Sequence, residues 1–163
     1  MPKTLLILHH SLTGGTTQMA AAAATGAQEE PITLRSLRAP EAGPDDLLAA
    51  DGLIFAAPEN LASLAGVMKD LFDRCYYPCL NRLNGRPYAA MICAGSDGEG
   101  AARQLARIAT GWRLRPIAPP LIVITHAQSE AAILAPKTIA PPDLARCRDL
   151  GQAMAAGLAL GVF

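Results

Sequence analysis

The sequence predicts an α/β fold, a doubly wound parallel sheet of five strands with helices on both faces. Three observations predict it. Short apolar runs alternate with helical stretches in the order β-α-β-α-β-α-β-α-β-α, and such alternation implies a parallel sheet covered on both sides. Right-handed crossovers then wind the chain in both directions from its first strand. With 163 residues, of which 51% are hydrophobic, and with no internal repeat or low-complexity linker, the chain reads as one domain over 1–163 with a sizeable core.

The elements follow in order. Thr4–His9 is short, apolar and bounded by polar residues, the pattern of a buried strand. Thr16–Ala27 is alanine-rich and helical. Ile32–Leu37 alternates and reads as an edge strand. Pro44–Ala50 opens a short helix, with Asp45 and Asp46 in its first turn where carboxylates suit the helix dipole. Leu53–Ala57 is a third strand and Pro58–Leu64 a loop. Ala65–Tyr77 is helical, with Met68, Leu71, Phe72 and Cys75 on one face and Pro78 at its end. Pro87–Cys93 is the fourth strand, Glu99–Thr110 a helix stopped at Gly111, and Leu121–Thr125 the fifth strand. His126–Pro141 is long and irregular, and long loops in compact domains are often functional. Asp143–Leu160 is the last helix, entered through Pro141-Pro142.

The formal net charge is zero, which argues against nucleic acid as a partner. No apolar run approaches the length of a membrane span. Leu5–Leu8 is too short for the core of a secretory signal, so Cys75, Cys79, Cys93 and Cys147 are expected as reduced thiols in a cytoplasm.

In sheets of this class the ligand sits beyond the carboxyl ends of the strands. Loops follow strands one, three and four: "SLTGGTT" (Ser11–Thr17), "APENLASLAG" (Ala57–Gly66) and "CAGSDGEG" (Cys93–Gly100). In the strand order 2-1-3-4-5 they line one cleft. The first loop leads into a helix N-terminus, whose free N–H groups favour an anion. Ser11, Thr13, Thr16 and Thr17 add hydroxyls, and Gly14 and Gly15 let the backbone approach closely. The loop holds no lysine or arginine, so neutral donors alone would hold a phosphate there. That suits a monoester fixed on a cofactor better than a phosphoryl group in transfer.

Other signatures are missing. There is neither GxxxxGK[ST] nor a GxGxxG after the first strand. The first loop lacks the cysteine a phosphatase of this fold needs, and His9, His10 and Glu59 do not make the acidic cluster of a receiver domain. His9 and His10 are adjacent on a strand and point to opposite faces, so no metal is expected there. Cys75 and Cys79 read as half-buried thiols and Cys93 as a packed thiol. Tyr76 and Tyr77 fit a subunit interface or the cleft mouth. Arg103 and Arg107 read as a solvated face, and His126 is a substrate-site candidate.

"SLTGGTT" resembles the flavodoxin phosphate-binding loop, a hydroxyl residue followed by x-T-G-x-T. "PENLASLAGVMKDLFDR" (Pro58–Arg74) is similar to the second flavin loop and following helix of flavodoxin-like NAD(P)H-dependent FMN and quinone reductases. "RPYAAMICAGSDGEGAARQL" (Arg86–Leu105) resembles their fourth strand and third flavin loop. The likeness runs in order through most of Lys3–Arg115. It implies FMN, with the phosphate on Ser11, Leu12, Thr13, Gly14, Gly15, Thr16 and Thr17. The ring edge would meet the backbone of Pro58, Glu59, Asn60 and Leu61 and of Ala94, Gly95, Ser96 and Asp97.

It also implies NAD(P)H as co-substrate, a small-molecule electron acceptor such as a quinone or flavin, and a homodimer or tetramer. Flavodoxins usually sandwich the ring between aromatics of the second and third loops, and neither loop here has one. Leu61 and Leu64 would cover one ring face and leave the other open, which suits a reductase. The alternatives are an electron-transfer flavodoxin with a protein redox partner and a flavin-free scaffold of the same fold. No side chain stands out as an acid or base, so no catalytic residue is assigned.

Overall fold

The computed structural model describes all residues from Met1 to Phe163. β1 (Thr4–His9) lies inside the sheet because every residue from Leu5 to Leu8 is apolar and can be buried on either face. It pairs in parallel with β2 (Thr33–Arg38) on one side and β3 (Gly52–Asn60) on the other. β3 pairs with β5 (Pro87–Ala94), which carries the far edge. The five expected strands keep the expected order, with the alternating, half-polar β2 at its edge.

The sheet nevertheless has seven strands, a correction to the expected five. Pro58–Leu64 is not a plain loop. β3 runs on to Asn60 and turns back through β4 (Ser63–Leu64) as an antiparallel hairpin. The far edge is shared by β6 (Arg115–Pro116), beside Pro87 and Tyr88, and β7 (Leu121–Ile124), beside Met91–Ala94. Pro116, Pro119 and Pro120 cannot donate to a ladder, which explains why this edge is broken in two.

α1 (Gly15–Ala27) and α6 (Pro141–Leu160) cover one face of the sheet. α2 (Pro44–Ala49), α3 (Gly66–Cys79) and α4 (Glu99–Gly111) cover the other. Strand residues alternate between the two cores: Leu5, Ile7, Ile54, Ala56 and Met91 under α1 and α6, and Leu6, Leu8, Phe55, Ala57 and Ile92 under α2–α4. The α1–α6 contact is very close. A Cβ added to Gly26 would sit 2.0 Å from the Arg148 carbonyl oxygen, and one on Gly151 2.0 Å from that of Ala23. The glycines and alanines of these two helices let their backbones touch.

Two helix boundaries differ from expectation. Pro78 does not end α3, because buried Cys79 and Leu83 hold the final turn against the core despite the lost backbone bond. The irregular stretch after β7 contains a short helix, α5 (Glu130–Leu134), capped by the Ser129 hydroxyl, which accepts from the Ala132 N–H. All four cysteines are free and fully buried, Cys75 and Cys79 included, and burial pushes the Cys75 and Cys147 thiols up to about 11. No helix is long and apolar enough to cross a membrane.

Candidate functional site

The carboxyl ends of β1, β3, β5 and β7 open onto one cleft of about 430 Å³. Ser11, Leu12, Thr13, Gly15 and Thr16 line it from the first loop, Pro58, Glu59, Asn60, Leu61 and Ala62 from the hairpin, and Cys93, Ala94, Gly95 and Ser96 from the third loop. Three expected residues do not reach it. Gly14 is the turn itself, its N–H bonded to the Ser11 hydroxyl. Thr17 lies on the exposed side of α1, and Asp97 is exposed in the turn before α4.

The first loop presents a set of unpartnered donors to the cleft. Gly14, at φ 93°, swings the chain into α1, and the first helical bond runs from the Gln18 N–H to the Gly14 carbonyl. The N–H groups of Gly15, Thr16 and Thr17 therefore precede the ladder, and those of Leu12 and Thr13 have no partner. The Thr16 side chain is only 1% exposed and its Oγ1 has no hydrogen-bond partner. A buried, unsatisfied hydroxyl costs on the order of 1–3 kcal/mol, so an orphan aimed into a cleft marks a place for a ligand atom.

The expectation of a loop held by neutral donors alone is corrected by the tail. Lys137, distant in sequence, joins the lining with Thr125, Ala127 and Ile133. Its backbone N–H donates to the Thr13 carbonyl at 2.8 Å, and its Nζ approaches the Thr13 Oγ1 at 3.3 Å. Gln18 Nε2 donates to the Lys137 carbonyl at 2.7 Å, and Gln18 Oε1 accepts from the Ile139 N–H at 2.9 Å. Residues 126–140 thus form a strap laced to the first loop. Motif reading missed Lys137 because nothing in its local sequence points across the fold. The one available signal was the unusual length of the stretch.

The hairpin is fastened from the other side. Glu59 Oε1 accepts from the Gly98 N–H at 2.9 Å, and Oε2 from the Ala101 N–H at 3.0 Å. Its carboxylate is thus engaged by the N-terminus of α4. Gln104 Oε1 accepts from the Ser63 hydroxyl and the Leu64 N–H, each at 2.7 Å. A Cβ on Gly100 would lie 2.1 Å from the Ala62 carbonyl oxygen, so the hairpin tip rests directly on α4. Leu61 and Ala62 hold positive φ, 51° and 60°, a turn conformation that normally favours Asn-Gly. That strain displays Leu61 fully exposed at the mouth of the cleft. Leu64, expected to cover a ring face, is instead buried in the core.

No aromatic side chain lines the cleft. Phe55, Phe72, Tyr88 and Trp112 form a cluster in the α3–α4 core, with Phe55–Phe72 centroids 5.0 Å apart and Phe72–Trp112 centroids 5.5 Å apart. Tyr76 and Tyr77 meet edge to face at the end of α3 and do not line the cleft. His126 does not line it, and Arg103 and Arg107 are exposed on α4. Cys93 forms part of the floor. Burial pushes its thiol up, while the nearby Lys137 ammonium pulls it partly back.

Comparison with known proteins agrees with this geometry. A family described as NADPH-dependent FMN reductase matches residues 4–129. The chain is similar to an NAD(P)H dehydrogenase (quinone) of Acidithiobacillus ferrooxidans, 35% identical over segments covering 43% of this chain and 46% of that protein. It is 33% identical to an NAD(P)H-dependent FMN reductase of Pseudomonas aeruginosa, over 52% of this chain and 47% of that one. The chain spans about half the length of the curated relatives it matches. In fold it is similar to a flavodoxin from the domain Archaea, with a TM-score of 0.77 and 17% identity over 95% of this chain and 98% of that one.

Proposed function

The chain belongs to the NADPH-dependent FMN reductase family, and on that premise we propose that it binds FMN non-covalently and uses NAD(P)H to reduce a small acceptor such as a quinone or a free flavin. The observation that carries this reading is the orphaned hydroxyl of Thr16, set among unpaired N–H groups at the start of α1. Of the loop residues expected to hold the phosphate, Ser11, Leu12, Thr13, Gly15 and Thr16 line the cleft and would do so, with Gly14 setting the turn. The ring edge would meet the backbone of the second and third loops, where the N–H groups of Leu61, Ala62, Gly95 and Ser96 have no partner within the protein.

FMN, when bound, supplies two-electron chemistry between nicotinamide and acceptor. The protein's part is to bind, orient and leave access. The Glu59 carboxylate is occupied with fixing the hairpin to α4, so no residue of the lining is assigned as acid or base. Leu61 offers an aliphatic cover on one side, and with no aromatic clamp the cleft stays open to a flat second molecule. That openness favours a reductase over an electron carrier with a protein redox partner.

In this reading residues 1–163 act as one flavodoxin-like domain in the cytoplasm, in keeping with four free thiols. The exposed Leu12, Leu61, Ile133 and Leu134 around the cleft mouth favour a homodimer or tetramer.

The test is an absorbance spectrum after FMN addition and desalting, followed by NADPH under anaerobic conditions. Retained yellow colour that bleaches is the expected result. Colour that persists in NADPH would favour the electron carrier, and a colourless protein would overturn the FMN reading.

A further inference from the structure

Lys137 is the only cationic side chain lining the cleft, and it lies beyond residues 4–129, the segment shared with the family. Its position is over-determined. Its backbone is pinned to Thr13 and Gln18, and its Nζ is held by the Ile133 and Ala135 carbonyls at 2.8 and 2.6 Å while reaching Thr13 Oγ1. By donating to these two carbonyls the ammonium caps the end of α5 and is held in place, and neutral acceptors leave its charge uncancelled. The one carboxylate in the lining, Glu59, is taken up by α4. The field in the first loop is therefore positive, from one lysine and the N-terminus of α1 together.

We propose that Lys137 is a specificity residue, delivered by the strap, that makes the cleft select flavins carrying a phosphomonoester over unphosphorylated ones. The inference rests on the FMN reading for the identity of the ligand, but not for the anion site itself. That site also stands on the buried, unpartnered Thr16 Oγ1 beside the loop's free N–H groups. With its three N–H bonds already directed at Ile133, Ala135 and Thr13, the ammonium acts on a dianion through its fixed charge, and that Coulombic share of the affinity falls as salt rises.

The test measures dissociation constants for FMN and riboflavin by flavin fluorescence, at low and high salt, in the wild type, Lys137→Met and Lys137→Arg. Methionine keeps an unbranched stem and the strap's backbone bonds but removes the charge. Inorganic phosphate is titrated in parallel against thermal unfolding. The expected result is a loss of about tenfold or more in FMN affinity for Lys137→Met, with riboflavin unchanged, a flattened salt dependence, and near-wild-type behaviour for Lys137→Arg. Equal losses for both flavins would show that the lysine only packs the strap, and no loss for either would show its charge to be idle; both overturn the proposal. If the wild type binds neither flavin, the FMN reading fails and phosphate decides the lysine. Stabilisation by phosphate that vanishes in Lys137→Met sustains the anion-selecting role, and stabilisation that is absent or the same in both ends it.

Discussion

α1 and α4 begin alike and are used oppositely. Each follows a glycine with positive φ, Gly14 at 93° and Gly98 at 82°, and each points its N-terminus toward the cleft side of the sheet. The N-terminus of α4 is closed by the protein's own carboxylate, with Glu59 accepting from Gly98 and Ala101. The N-terminus of α1 is left open, with the unpartnered Thr16 hydroxyl and a lysine in place of an acid. The same electrostatic feature thus serves architecture at one helix and, in the proposed reading, recognition at the other. What separates them is whether an internal anion is within reach.

That contrast can be attacked directly. Thr13→Asp would place an internal carboxylate at α1, copying the arrangement at α4. FMN affinity should then fall about a hundredfold, from like-charge repulsion and an already filled site, while the ligand-free protein gains up to about 1 kcal/mol in urea unfolding. Unchanged FMN affinity would sink the placement of the phosphate. Glu59→Ala should do the reverse, costing about 2 kcal/mol of stability by stranding two N–H groups at a half-buried site. Glu59→Gln, which keeps one acceptor oxygen, should lose less. A loss below about 0.5 kcal/mol for the alanine variant would mean that α4 does not depend on Glu59.

Thr16→Val gives a smaller and more diagnostic effect. Removing an unsatisfied buried hydroxyl should leave stability unchanged or slightly higher, yet cost about 1 kcal/mol, some fivefold, in FMN binding. A destabilised variant would show that the hydroxyl is satisfied in the free protein. The mildest effect is of pH. Burial first, then Arg38, holds His9 below its ordinary value, and burial does the same for His10. A histidine lowered in the folded state contributes stability above its unfolded value of 6.5, and that stability is lost as pH falls below it. The urea midpoint should therefore drop modestly on acidification from neutrality, and flat behaviour down to pH 5 would contradict the buried, neutral state of His9.

The strands and the three loops were legible because their signals are local. Leu5–Leu8 is apolar without interruption, and the Ser/Thr/Gly pattern of Ser11–Thr17 lies within seven residues. What escaped was set by tertiary contact. The β3–β4 hairpin has no turn residues to announce it, since Leu61 and Ala62 occupy positions that favour Asn-Gly. Its geometry is imposed by Glu59, Gln104 and the bare surface of Gly100. Lys137 was invisible for the same reason, as its partner Thr13 is 124 residues away. The bracing role of the Glu59 side chain escaped because a carboxylate in a ligand loop looks the same in sequence whether it faces the ligand or a neighbouring helix.

The glycine-to-carbonyl seam between α1 and α6 bears on how the molecule comes to be made. Gly26 meets Arg148, and Gly151 meets Ala23, so α1 gains its closest neighbour only from residues far along the chain from it. The strap carrying Lys137 belongs to the same late segment. Contacts of such sequence separation form slowly, because the loop between them must close before they yield any stabilisation. On the ribosome the first loop would emerge well before residues 137–151, leaving the alanine-rich face of α1 uncovered until that segment had followed.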